Sequence, residues 1–257
     1  MTPLLSWPNW IGVVCEDLDR QRAFYADVFG LPELARGGTW AWFDLGWPNL
    51  FELLALDPAM PQYERRRFQV GFATDDITAA REELVRRGVE PVTGIESDTE
   101  GDAWCYFRDA EGSLFELSQR GKQPWQPAPG EALVRWPIWI GVAAEDFDRS
   151  RAFYRDVLGL RELRATDDWV GFDMGWPNLF EIQPFGPPYD QPGFHVAFAV
   201  EDVPAASGEL VGRGAEPVSD VEGGPKLGGF WQDFRDPEGN TVGISQRLGK
   251  PWATASP

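Results

Sequence analysis

The sequence predicts an α+β fold in which four β-α-β-β-β modules build two domains. Two observations carry this reading. First, the chain is written twice: WPNWIGVVCEDLDRQRAFYADVFGLPEL, from residue 7 and running on to FDLGWPNLFEL, returns from residue 136 as WPIWIGVAAEDFDRSRAFYRDVLGLREL and FDMGWPNLFEI. Roughly 30 of about 51 aligned positions are identical without a gap, and the repeat is far longer than the units of about 50 residues or fewer that stack into solenoids. Second, each copy divides again into a strand, a helix and three short strands. At 257 residues the chain is long enough for each copy to bury its own core.

The elements follow in order. The first strand covers Trp10–Cys15, with Ile11, Val13 and Cys15 on one face and Trp10, Gly12 and Val14 on the other. Asp17 stands where it caps a helix that carries Phe24 and Val28 four apart and ends at Gly30. Strands near Glu33–Ala35, Trp40–Asp44 and Asn49–Ala55 complete the module. The second module opens on strand Phe68–Thr74. A helix capped by Asp76 follows, burying Leu84 and Val85 and closed by Gly88, and then strands near Val92–Ile95, Ala103–Arg108 and Ser113–Ser118. Asp109-Ala110-Glu111-Gly112, which recurs as Asp236-Pro237-Glu238-Gly239, has the chemistry of a type I turn between the last two strands. The expected domains span residues 1–121 and 135–248, with a Pro-rich linker at 122–134 and a fraying tail at 249–257.

Composition narrows the partners. With 41 acidic and 23 basic residues the net charge is −18, which argues against nucleic acid or an anionic membrane surface. No apolar run is long enough to span a bilayer and no secretory signal opens the chain. Cys15 and Cys105 form no disulfide framework and read as small buried hydrophobes in a reducing cytoplasm. Thirteen Trp form the compositional outlier. Strand alternation groups Trp10, Trp40 and Trp42, and separately Trp104 and Tyr106, with Trp139, Trp169 and Trp231 as counterparts in the second copy. Such faces either fill a core or line a pocket for a flat or cationic ligand. The Gly-rich run Gly223–Gly229 has no counterpart in the first copy and reads as a flexible loop at the rim of the second copy's site.

The order of a strand, E-D-L-D-R-x-R-A-F-Y-x-D-V-F-G-L and a later D-x-E-G-x-x-x-E strand resembles the vicinal oxygen chelate superfamily, which includes glyoxalases, extradiol dioxygenases, fosfomycin-inactivating enzymes and bleomycin-binding proteins. The resemblance covers nearly the whole chain. It implies two glyoxalase-like domains whose paired modules curl into open cups, each with a small-molecule site. It also implies metal-ligand positions on the first and fourth strands of every module, where metal-using members carry His, Gln or Glu. Here those positions fall on Trp10, Glu52, Gln69 and Glu116 in the first copy, and on Trp139, Glu181, His195 and Gly243 in the second. An indole offers only an N–H donor and glycine offers no side chain, so neither copy keeps four ligands. Pairing within copies groups Glu52, Gln69 and Glu116; pairing between copies groups Glu181, Gln69 and Glu116. Both remain open at this point.

Two functional classes follow. In the first, the protein is a metal-independent, monomeric binder of a small aromatic or cationic amphipathic molecule, as in drug sequestration, with Trp-lined cups and no cofactor. The alternative is a divalent-metal (Mn, Fe, Ni, Zn or Mg) lyase, isomerase or dioxygenase, with Glu52, Gln69 and Glu116 as ligands and Glu52, Glu181 or His195 in acid–base roles. A module that has lost its ligands and serves only structure or regulation is a third class. For Glu52 and Glu181 the bland reading is a buried carboxylate hydrogen-bonded to an indole; for His195 it is a satisfied core histidine. The copies differ where Trp42, Tyr106 and Glu116 face Gly171, Asp233 and Gly243, so unequal cups are expected, with the first copy's the tighter.

Overall fold

The computed structural model describes residues 5–57, 59, 68–99, 101–122, 133–186, 189 and 193–248. Most of the expected linker and all of the expected tail lie outside them.

Strand β1 (Ser6–Cys15) leads into helix α1 (Leu18–Ala23), whose first turn is capped by the Asp17 carboxylate accepting from the Arg20 amide. The helix then widens into a π-turn over Phe24–Val28, closed by the Phe29 amide donating to the Phe24 carbonyl, before Gly30 ends it at φ 71°. The expected spacing of four between Phe24 and Val28 is thereby replaced by a spacing of five. Phe24 meets Phe29 at 5.1 Å between ring centroids, and Tyr25 and Phe29 become fully buried. Strands β2 (Glu33–Arg36), β3 (Trp40–Asp44) and β4 (Leu50–Ala55) follow. The second module comprises β5 (Phe68–Ala73), α2 (Ile77–Arg86), β6 (Glu96–Ser97), β7 (Ala103–Arg108) and β8 (Leu114–Gln119). Two expectations are corrected here. Leu84 is buried but Val85 is 43% exposed, because it falls on the outer face of α2. The strand expected at Val92–Ile95 is instead β6; Val92 only donates its amide to Tyr106, next to an isolated bridge between Pro91 and Phe107.

The second copy repeats the plan: β9 (Arg135–Ala144), α3 (Phe147–Ala152) with its own π-turn, β10 (Glu162–Ala165), β11 (Val170–Asp173), β12 (Leu179–Pro184), β13 (Gly193–Ala199), α4 (Val203–Gly212), β14 (Glu216–Pro217), β15 (Glu222–Gly224), β16 (Gly229–Arg235) and β17 (Thr241–Arg247). The Gly-rich run is not an irregular loop. It forms β15, a 3₁₀ turn over Pro225–Leu227 and a left-handed Gly228 that leads into β16. Among the described residues no helix is long and apolar enough to cross a membrane.

Modules pair within copies. β1 runs antiparallel to β5, so the first copy makes one open sheet in the order β2-β3-β4-β1-β5-β8-β7-β6; β9 and β13 do the same in the second. The convex faces share one core across the copies, with Phe51 meeting Phe198 and Phe72 meeting Phe180 at 5.6 and 5.7 Å.

Polar contacts at this joint are exchanged crosswise. Glu238, in the turn between β16 and β17, accepts from the Glu16 and Asp17 amides at the start of α1; Glu111 accepts from the Glu145 and Asp146 amides at the start of α3. These carboxylates meet the free amides of the other copy's helix, where the helix dipole also favours negative charge. Beneath them, buried Asp109 accepts from the Tyr154 hydroxyl at 2.8 Å. Asp236 accepts from Gln21 at 2.6 Å, from Asn240 at 2.7 Å and more distantly from Tyr25 at 3.3 Å.

The two tyrosines therefore carry unequal loads. Tyr154→Phe takes from Asp109 its side-chain donor and is expected to cost about 1–3 kcal/mol, the penalty for a buried acceptor left short. Tyr25→Phe, with Gln21 and Asn240 still in place, is expected to cost less than half as much. Urea denaturation of both variants checks the order.

Candidate functional site

In each copy alternation along the strands sends one set of residues into the concave face. In the first copy that face carries Trp10, Trp40, Trp42, Glu52, Gln69, Trp104, Tyr106 and Glu116. Cross-strand register sets Glu52 and Gln69 on either side of Gly12, with Trp42 beside Glu52, and Trp10 and Glu116 on either side of Gly71, with Tyr106 beside Glu116. The three-residue set Glu52, Gln69 and Glu116 is therefore gathered in one cup, and Glu181 shares the other with His195.

The carboxylate of Glu52 is held by two indoles: Trp10 Nε1 donates to Oε2 at 2.9 Å and Trp42 Nε1 to Oε1 at 2.7 Å. Burial pushes the Glu52 carboxyl above its ordinary range, opposed by these two hydrogen bonds and by Arg120. Glu181 is treated alike, raised by burial and opposed by hydrogen bonds from Trp139 and Trp169. The indole of Trp10 folds back over its own strand, so a Cβ on Gly12 would lie 2.3 Å from the ring; Gly141 meets Trp139 in the same way at 2.5 Å. The W-x-G spacing in both first strands is thus a packing requirement. Burial pushes the neighbouring Glu116 up to about 8, opposed by Arg120 and the Tyr106 hydroxyl, while Glu52 adds to the rise.

Much of the first cup is filled by its own side chains. Trp10, Val14, Leu50, Leu54, Tyr106 and Leu114 form a buried cluster, against which Trp40, Trp42 and Trp104 pack. Trp40 and Trp42 lie 4.6 Å apart, and Trp10 meets Tyr106 edge-on at 6.3 Å. The rings expected to make this the tighter ligand cup are largely engaged with one another.

The second cup encloses a cavity of about 540 Å³, walled by Trp139, Trp169, Trp231, Tyr189, Leu163 and Leu179, with Glu181 and Asp233 among its polar groups. Tyr189 stacks on Trp139 at 5.9 Å and reaches His195 at 4.5 Å. The histidine is buried and does not line the cavity. Tyr189 was not among the sequence-derived candidates. It sits between β12 and β13 and carries no periodic signal.

Asp233 was also missed as a replacement. The second copy has Gly243 where the first has Glu116, yet a Cβ there would lie 2.8 Å from Asp233 Oδ1. A carboxylate lost from one strand returns from its neighbour, at the position Tyr106 occupies in the first copy. Burial pushes Asp233 up to about 7, with Glu222 adding to the rise and a hydrogen bond from Tyr189 opposing it. Cys15 and Cys105 are buried free thiols, both raised to about 12 mainly by burial, which leaves them unreactive.

The donor sets fit a divalent metal poorly. Trp10 and Trp139 occupy first-strand ligand positions without a lone pair to give. Both Glu52 oxygens accept indole hydrogens, Gln69 is neutral, and Gly243 offers nothing. Among the described residues no group of three or more His, Cys, Asp or Glu side chains is arranged to hold a metal ion.

Comparison with known proteins settles the family. Residues 7–117 match the glyoxalase/bleomycin resistance protein/dioxygenase superfamily, and residues 139–245 match a glyoxalase-like domain. The chain belongs to this superfamily. CFP32 of Mycobacterium tuberculosis, provisionally named a glyoxylase, is 23% identical over 250 residues, covering 90% of this chain and 91% of that one. The metallothiol transferase FosB of Lysinibacillus sphaericus is 29% identical over 105 residues, 39% of this chain and 73% of that one. Among solved structures, the Mn(II)-bound glyoxalase of Novosphingobium aromaticivorans superposes with a TM-score of 0.75 at 21% identity, covering 95% of this chain and 83% of that chain. The 2,3-dioxygenase LapB of Pseudomonas sp. KL28 follows at 0.74 and 15% identity, covering 99% and 97%. These structural likenesses show the fold. Superfamily members bind small-molecule substrates.

Two outcomes follow from the buried carboxylates. Trp42→Phe removes one of the two indole donors of Glu52 and is expected to cost about 1–3 kcal/mol in urea denaturation. For Asp233 the sign is set by its raised pKa. The folded protein keeps this proton up to about pH 7, whereas an unfolded chain releases it near the ordinary value of 3.8. Folding therefore loses stability as pH climbs through that window. Asp233→Asn abolishes this loss, so its stability relative to wild type is expected to improve from pH 4 to about pH 7 and then level off in thermal melts. A pH-independent difference would contradict the burial of this group.

Proposed function

We propose that this protein binds a small molecule with a flat aromatic part in the cup of its second copy, without a metal, as in sequestration. The observation that carries this reading is the cavity of about 540 Å³ with three indoles and a phenol in its wall, within the range of small-molecule sites. An aromatic ring gains about 0.5–1.5 kcal/mol per favourable ring contact beyond its burial. In the first copy, where the corresponding rings pack together, the cup serves chiefly as core. The duplication supplies both copies in one chain, and the protein is proposed to act as a monomer; light scattering at low micromolar concentration tests this.

The relatives favour a second reading, a metal-dependent lyase, isomerase or dioxygenase. The superposing glyoxalase is Mn(II)-bound and FosB is a metallothiol transferase. In this chain Glu52, Gln69 and Glu116 are the residues such an ion would meet. Against it stands the double indole clamp on Glu52, which both copies build.

Elemental analysis of protein purified without chelator separates the two. Less than about 0.1 metal ion per chain is expected, together with tryptophan quenching by 2-naphthamide that EDTA leaves unchanged. Stoichiometric Mn, Fe, Ni or Zn overturns the first reading in favour of the second.

A further inference from the structure

The polar groups around the second cavity are not equally satisfied. Its carboxylates have donors in the wall: Glu181 is held by Trp139 and Trp169, Glu222 accepts from Trp231 Nε1 at 3.3 Å, and Asp233 accepts from the Tyr189 hydroxyl at 3.5 Å. Its cations are less well held. Arg164, Lys226 and Arg247 all border the cavity, and among the described residues none forms an ion pair at contact distance, although Glu181 acts on Arg247 through space. Arg247 is the sharpest case. Its Nε and Nη2 are shut off from water and have no hydrogen-bond partner among the described residues.

The first copy shows how this arginine is ordinarily held. Arg120, at the equivalent place after S-Q, donates to Asp102 at 2.7 Å, to the Pro48 carbonyl at 3.1 Å and to the Asn9 carbonyl at 3.2 Å. The second copy has Gly229 in place of Asp102, where the backbone runs so close to Gln246 that a Cβ would lie 2.1 Å from its carbonyl oxygen. The carboxylate partner is gone and sterically barred. The other two cations are also particular to this copy: Arg164 stands where the first has Ala35, and Lys226 lies in the Gly-rich turn after β15, where the corresponding turn of the first copy carries no cation.

We infer that the second copy's cup selects a flat organic anion, a ring bearing a carboxylate or related oxyanion, with Arg247 as the residue that reads the charge. The Nε/Nη2 edge is the side-on fork by which arginines grip carboxylates, and Arg86 with Glu83 and Arg151 with Glu162 use it elsewhere in this chain. Binding on this reading requires the guanidinium to turn about its last torsions so that the now-buried edge faces the cavity, where an oxyanion supplies the two missing acceptors. Lys226 and Arg164 lower the cost of bringing the anion in. The sign opposes the preference for cationic ligands that a net charge of −18 implies. That surface charge is screened over about 8 Å at physiological salt, whereas the three cations line the cavity itself, whose carboxylates already have indole or phenol donors.

This inference rests on the second cup accepting flat rings at all, and a matched pair of probes separates the two ideas. 2-Naphthoate and 2-naphthamide have the same ring and nearly the same size but differ in charge. Calorimetric titration of the full chain at pH 7.5 is expected to show naphthoate binding at least 5-fold more tightly. Arg247→Gln is expected to bring the ratio close to one, with an unchanged far-UV circular dichroism spectrum and a cooperative melt certifying its fold. Should that variant fail to fold, Lys226→Gln, on the exposed rim turn, is expected to reduce the ratio about 2-fold. Equal binding of the two probes, or a ratio that neither substitution moves, overturns the anion inference and leaves the ring-binding cup standing. Binding of neither probe overturns the cup reading and the inference together.

Discussion

A carboxylate taken out of water must be met by donors, and this requirement organises the molecule at two levels. Inside each cup it joins the fourth strand of the first module to its neighbours, because the glutamate needs an indole N–H on either side. That fixes Trp at the first-strand position, and the indole in turn demands glycine two residues on, where no Cβ fits beneath it. At the joint the same requirement ties Asp109 to Tyr154 and Asp236 to Gln21. An isolated carboxylate in these places would cost several kcal/mol. The chemistry open to the cups follows from this choice, since a clamp of two N–H donors sits where relatives in the superfamily place metal ligands.

The two copies use one frame for different ends. In the first, rings and carboxylates turn toward one another, and Arg120 is locked to Asp102. In the second, three exchanges (Trp42 to Gly171, Tyr106 to Asp233 and Glu116 to Gly243) remove bulk from the concave face and leave space. The turn between β15 and β16, one residue longer than its counterpart after β6 and rich in glycine, then furnishes that space with a rim. The shared convex core lets one cup hollow out while the described rings of the other pack together, because each copy draws on packing supplied by its neighbour.

Much of this was legible in the residues themselves. Internal duplication exposed the module order, strand alternation grouped Trp10, Trp40 and Trp42, and the superfamily resemblance singled out Glu52, Gln69 and Glu116, though which copy's modules pair came only from the strand register. Where reading failed, the cause was contact across distance. The turn Asp109–Gly112 has a local explanation in type I geometry, which hides that Glu111 caps a helix of the other copy. Val85 and Val28 follow ideal helical spacing that an outer face and a π-turn overrule. Asp233 looked like a lost ring, because nothing in one strand says that its neighbour has vacated the space it fills. Arg247 carried a signal that comparison of the copies holds: the arginine persists while Asp102 becomes Gly229.

The crosswise capping of the helices has a consequence for how the chain is made. Amides at Glu16 and Asp17 wait for Glu238, a partner 222 and 221 residues further along the chain. During synthesis the first copy emerges with its opening helix capped only by its own Asp17, the Glu16 and Asp17 amides unmet, and its convex face bare. It stays so until almost the last strand has left the ribosome. Nascent chains of this protein therefore expose an aromatic-rich surface for most of their translation, one that the finished molecule packs between its two copies.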